Sequence, residues 1–186
     1  MAIEKIMTSA AFWDFVNQPG NANRYFERIN QEIVEHMPSN PYSSQVAMLI
    51  GALMLNYVLQ HDLGMVTGEQ GGYDIDQDNT FAPDAAFVFK GRQQSLPKTG
   101  FNPIPPDLVV EVVSPSDLQD PQRRIWRKLA VYRANQVPLI WYVYTDRQEV
   151  AVYRPGQAAQ TLSVNDTLDG EGVLHGFRLP IKAIFP

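Results

Sequence analysis

The sequence predicts a mixed α/β (α+β) domain: a mixed β-sheet flanked by helices, with an N-terminal β-hairpin and extra strands towards the C-terminus. Three observations predict it. Leu108-Val109-Val110-Glu111-Val112-Val113 is a short, β-branched run bounded by Pro106 and Pro115, which reads as a strand buried on both faces. From Ser43 to His61 the residues Val46, Leu49, Ile50, Leu53, Met54, Tyr57 and Val58 recur at helical spacing and are apolar nearly all round, so that helix packs on a sheet. The element order is a hairpin, a long helix, several strands, one helix and a hairpin, without the regular alternation of a doubly wound fold. No Gly-rich phosphate fingerprint follows any strand, which removes nucleotide-cofactor readings.

Composition narrows the class. The 186 residues suit one domain spanning 1–186, and 45% hydrophobic with 19% charged content is that of a soluble globular protein. The net charge of -5 does not advertise nucleic-acid binding, so any such role needs a local basic patch. The absence of cysteine excludes disulfides, thiolate zinc sites and a cysteine nucleophile, and fits a cytoplasmic location. There is no signal-peptide pattern, and the apolar stretch Val46 to Leu59, broken by Gly51 and Asn56, is too short to span a membrane.

Taken in order, residues 8 to 17 predict a short helix capped by Thr8 or Ser9 and ended by Pro19-Gly20. Tyr25 to Ile29 and Glu32 to Met37 flank Asn30-Gln31 as a hairpin, closed by Pro38 and Pro41. The long helix follows, with Gly64 placed to end it. Met65 to Glu69 and Tyr73 to Ile75 read as short strands around Gly71-Gly72, and Ala82 to Phe89 as a strand opened by Pro83-Asp84. Residues 91–106 form a loop. After the Glu111 strand, Ser114-Pro115-Ser116-Asp117 turns the chain. A second helix covers Arg123 to Arg133, starting near Asp120 or Pro121, with Ile125, Leu129 and Tyr132 inward. Val137 to Tyr144 is a further buried strand, Glu149 to Arg154 returns from it, Thr161 to Val164 and Val173 to Leu174 are short strands, and Lys182 to Phe185 forms a terminal helical turn.

The chemistry gathers on carboxylates. Alternation along the central strand puts Val109, Glu111 and Val113 on one face and Leu108, Val110 and Val112 on the other. An isolated buried carboxylate is costly, so Glu111 must be protonated, bound to a metal or paired with a buried cation such as Arg124 or Arg127. Asp84 opens a neighbouring strand and can converge on the same spot. Two oxygen donors suit a hard divalent cation, magnesium or manganese, which acidifies water and neutralises charge at a phosphate. The position two after Glu111 is Val113, and the nearest downstream lysine is Lys128 on the following helix. Arg123, Arg124, Arg127 and Arg133 accompany it as the one dense basic patch, suited to a phosphate backbone. Glu69 and Glu32 are candidate additional ligands or water-positioning groups.

Ala82-Pro83-Asp84-Ala85-Ala86-Phe87, Pro106 to Asp117, Lys128 with Tyr132, and Trp141-Tyr142-Val143 together resemble the Uma two family of the restriction-endonuclease-like PD-(D/E)XK superfamily. The likeness extends to Glu32-Ile33-Val34-Glu35, Gly68 to Tyr73 and Gly176 to Pro180, and so covers nearly the whole chain. It implies a restriction-endonuclease-like fold and a magnesium-dependent DNA endonuclease, with Asp84 and Glu111 at the metal-binding positions and Lys128 in place of the motif lysine. It also implies a homodimer, for which the apolar late strands offer an interface. The rival reading is a nucleic-acid-binding or structural module that kept the fold and lost the chemistry.

Overall fold

The computed structural model describes residues 7–37, 39–120 and 123–185. Its centre is a six-stranded mixed sheet ordered β10-β9-β8-β7-β6-β3. β3 is Gly64–Gly68, β6 Ala85–Phe89, β7 Leu108–Val113, β8 Leu139–Tyr144, β9 Glu149–Tyr153 and β10 Gln160–Leu162. Only the β7–β8 pair is parallel, and the chain crosses between these two strands through two helices, α3 (Pro115–Leu118) and α4 (Arg124–Ala134).

The alternation expected of β7 holds on both faces. Leu108, Val110 and Val112 join a core with Val46, Ile50, Met54 and Val58 of α2 (Pro41–His61). The same layer is completed by β11 (Thr167–Asp169), β12 (Arg178–Pro180) and the segment to Phe185. Val109 and Val113 face the opposite way, onto Ile125, Leu129 and Tyr132 of α4. Beyond α4 lies a second sheet, ordered β2-β1-β5-β4, from β1 (Tyr25–Ile29), β2 (Glu32–His36), β4 (Tyr73–Asp74) and β5 (Thr80–Phe81). Helix α1 (Ser9–Val16), capped by Thr8, packs on that sheet through Phe15 against Phe26 and stacks Phe12 on Phe101 of the 91–106 loop.

The hairpin turns on Asn30 and Gln31, both at positive φ (52° and 66°), the backbone that a two-residue hairpin loop requires. Pro41 does not close this hairpin. It is the first residue of α2, where a missing N–H costs nothing, and Asn40 caps the helix. The closing role expected of Pro38, and the helix start expected at Pro121, lie outside the described residues. Gly64 does not end α2 either: Asp62, left-handed at φ 51°, does so, and Gly64 opens β3. Ser114 to Asp117 is not a plain turn. Ser114 and Asp117 form a reciprocal capping box that starts α3. Val173-Leu174 is a turn and not a strand, while Ile181–Ala183 supplies the terminal helical turn in 3₁₀ form.

α2 is long and apolar enough by composition to cross a membrane, which the shorter run read from the sequence was not, yet its Val46–Ile50–Met54–Val58 row is committed to the sheet. Of the late strands offered as a dimer interface, β8 belongs to the core. β8 is paired on both edges, and Trp141, Tyr142 and Val143 are fully buried.

Candidate functional site

Strand register builds the site. β6 and β7 pair antiparallel with Phe87 opposite Leu108, Ala86 opposite Val109 and Ala85 opposite Val110. One step beyond, Asp84 comes opposite Glu111, on the face that α4 covers. The ladder ends there because Asp84 uses its side chain instead: its Oδ2 accepts a 2.6 Å hydrogen bond from the Val112 N–H. The crossover from β7 then lays α4 over the same face. Lys128 and Tyr132, four residues apart and so one above the other on the helix, both reach down to Glu111.

Glu111 is fully engaged. Lys128 Nζ lies 2.7 Å from Oε1 and 2.9 Å from Oε2, and the Tyr132 hydroxyl donates to Oε1 at 2.7 Å. The cation expected to meet Glu111 as its buried partner is therefore Lys128, not Arg124 or Arg127. Lys128 also pairs with Glu27 Oε1 at 2.7 Å, and Glu27 accepts from the Ala82 N–H at 3.0 Å. Glu27 went unanticipated. Its signal is the one that marked Glu111, an acid alternating with apolar residues on a strand face, here opposite Val34.

Electrostatics follow from this crowding. Burial and the neighbouring Glu111 charge push the Asp84 carboxyl up to about 7, against the Val112 hydrogen bond and Lys128, with Glu69 adding upward pressure. Burial also pushes Glu111 up against the pull of Lys128, and Glu27 reinforces the rise. Lys128 is held above its ordinary range by the two carboxylates, which outweigh its burial, so it stays an ammonium. Burial and the Glu111 charge keep the Tyr132 phenol neutral, as a donor must be.

Asp84, Glu111, Lys128, Glu27 and Glu69 line one cleft of about 670 Å³, whose other wall is Trp13, Tyr25, Phe26 and Phe101. The remaining sequence candidates are placed as follows. Glu32, largely exposed, pairs with Arg127 at 2.7 Å and does not line this cleft. Arg127 also donates to the Ile29 carbonyl, which spends its guanidinium on fastening α4 to the hairpin. Arg124 lines the cleft but holds Asp117 at 2.9 Å. Arg123 is exposed just before α4, with a left-handed backbone.

No group of three or more His, Cys, Asp or Glu that could hold a metal occurs among the described residues. The donor set is the pair Asp84 and Glu111. That pair fits a small divalent cation, which takes one or two carboxylates and leaves its other positions to water and substrate phosphate. The Asp84 carboxyl is raised chiefly by burial and next by the Glu111 charge, and a cation between the two would relieve that like-charge repulsion.

Known proteins add two likenesses. A family profile described as "Uma2: Putative restriction endonuclease" matches residues 13–182. The fold is similar to that in the crystal structure of "a putative nuclease belonging to DUF820" from Anabaena variabilis, with a TM-score of 0.78 and 18% identity, over 96% of this chain and 97% of that chain. At that identity the likeness establishes the architecture, a mixed sheet flanked by helices. No curated protein matches.

Proposed function

The chain belongs to the Uma2 family of restriction-endonuclease-like proteins, and from that premise we propose that it is a magnesium- or manganese-dependent endonuclease hydrolysing phosphodiester bonds in DNA. The observation that carries this reading is the meeting of Asp84, Glu111 and Lys128 in one cleft from three separate elements.

Asp84 and Glu111 would hold the cation. When bound, it supplies Lewis-acid neutralisation at the scissile phosphate and acidifies water. The chain's own residues do the rest. The Val112 N–H fixes Asp84 Oδ2 at the cleft lining, and Oδ1 would be the oxygen offered to the cation. Lys128 and Tyr132 lock both Glu111 oxygens in orientation, and Oε2, which meets Lys128 alone, keeps a lone pair. The three N–H groups of Lys128 face three carboxylate oxygens at 2.7–2.9 Å, two on Glu111 and one on Glu27, so its positive charge, rather than a free N–H, would assist at the attacking water and the phosphate. Water adds to phosphorus, the P–O bond to the leaving sugar breaks, and a phosphate monoester and a hydroxyl result.

One observation favours a second reading. Glu27, Glu111, Lys128 and Tyr132 satisfy one another, so the network can also stand as a structural core of a nucleic-acid-binding module. Incubation of supercoiled plasmid with magnesium or manganese separates the two. The nuclease nicks it in either metal but not in EDTA, and Asp84→Asn or Glu111→Gln lowers the rate on the order of 100-fold. Intact plasmid with every metal and every DNA form would leave the module.

A further inference from the structure

The face of α2 turned away from the sheet has no cover among the described residues and no charge. From Pro41 to Gln60 there is no Asp, Glu, Lys or Arg. Opposite the buried row, Met48, Ala52, Leu55 and Leu59 fall within an arc of about 60° on an ideal helix. Met48 is 72% exposed, Leu59 69% and Leu55 41%, and Ala52 is exposed between them. Their steps of four, three and four residues are those of a coiled-coil seam rather than of scattered surface leucines.

We propose that this stripe is the interface with a second copy of the same chain, two α2 helices lying antiparallel across a two-fold axis. The spacing is self-complementary in that arrangement. With the axis between Leu53 and Met54, Met48 faces the other copy's Leu59 and Ala52 faces its Leu55. Large residues meet large ones at the ends, and a small residue meets a large one near the middle, so the helices approach closely and interdigitate. A two-fold axis places like residues near like, and a helix without charged side chains incurs no repulsion there. With Gln45 and Asn56 at the flanks, the pair withdraws on the order of 1,000 Å² from water, the lower bound of a specific interface, which corresponds to micromolar rather than obligate association. A lipid surface fits less well. Interfacial helices carry Lys or Arg along their polar face; α2 has none and the chain is net negative. The pairing is independent of whether the cleft cuts DNA.

Sedimentation equilibrium at tens of micromolar tests it, with far-UV circular dichroism to verify folding. The wild-type chain sediments as a dimer, and Met48→Lys or Leu59→Glu alone yields monomer. The double variant Met48→Lys/Leu59→Glu regains the dimer, because antiparallel pairing sets the two introduced charges against each other twice. The chain has no cysteine, so a second readout is available. A mixture of Met48→Cys and Leu59→Cys chains forms an interchain disulfide on oxidation, and neither alone does so to the same extent. A wild-type monomer at these concentrations, a double variant that stays monomeric while folded, or a monomer that binds neutral vesicles through α2 would each overturn the proposal.

Discussion

Lys128 is the residue on which the cleft's charge balance turns, because it pairs with both Glu27 and Glu111. Removing one partner of a buried pair costs more than the pair contributes, since the charge left behind has lost both water and counter-ion. Lys128→Met should therefore destabilise by about 3–5 kcal/mol, and by less at pH 5 than at pH 8, because the stranded carboxyls can take up protons in acid. Urea denaturation at the two pH values checks this. Asp84 gives a linkage of the same sign in the intact protein. Its carboxyl sits at about 7 in the folded protein, above the ordinary carboxylate range, so between roughly pH 4 and 7 the folded state binds a proton that the unfolded state has released. Metal-free stability is thus highest below that window and falls as pH rises through it, by roughly 1–2 kcal/mol after discounting for solvent at this partly buried residue. Asp84→Asn should flatten that slope, and manganese affinity measured by calorimetry should strengthen with pH up to about 7. The meeting of Asp84, Glu111 and Lys128 was legible from the sequence because one acid opens an apolar strand, another interrupts one, and the nearest downstream lysine falls on the helix that follows. Glu27 was not, since nothing local announces that a hairpin near the other end of the chain docks against α4.

Secondary structure was most legible where one rule acted alone. β7 alternates between two cores as its pattern dictates, and α2 follows its 3.6-residue period. Misreadings fell where two rules compete for the same residue. Pro41 both ends a strand pattern and starts a helix, and the helix took it because Asn40 supplies a cap. Ser114-Pro115-Ser116-Asp117 has turn composition, yet the reciprocal capping bonds make it a short helix. Gly64 was assigned a helix-ending role, but its lack of a side chain serves the sheet: a Cβ there would sit 2.1 Å from the Val88 carbonyl oxygen. Gly64→Ala should therefore destabilise by about 2 kcal/mol or more, a strain that the flexible end of a side chain cannot relieve. The same change at Gly20, where a Cβ would meet nothing within 4 Å, should be near neutral. Thermal melts of the two variants provide the comparison.

At the scale of the whole molecule, charge and shape pull in different directions. The chain is net negative, and seven carboxylates against three basic side chains line the cleft, each of those three already paired with an acid. A phosphate backbone meets net repulsion there until divalent cations occupy the acids. DNA affinity measured by fluorescence anisotropy should accordingly be weak in EDTA and rise about tenfold or more with calcium, which can stand in for binding without supporting cleavage. Equal affinity in both conditions would locate DNA elsewhere on the surface. The order of the acids along the chain has its own consequence. Glu27, Asp84 and Glu111 all leave the ribosome before Lys128 does. A nascent chain that stops short of α4 holds three acids and no ammonium to bury with them, so it cannot seal this interior in its charged form. The last of the four groups to be synthesised is the one that lets the others go under, and vectorial growth thereby keeps the cleft's two walls from closing on an incomplete set.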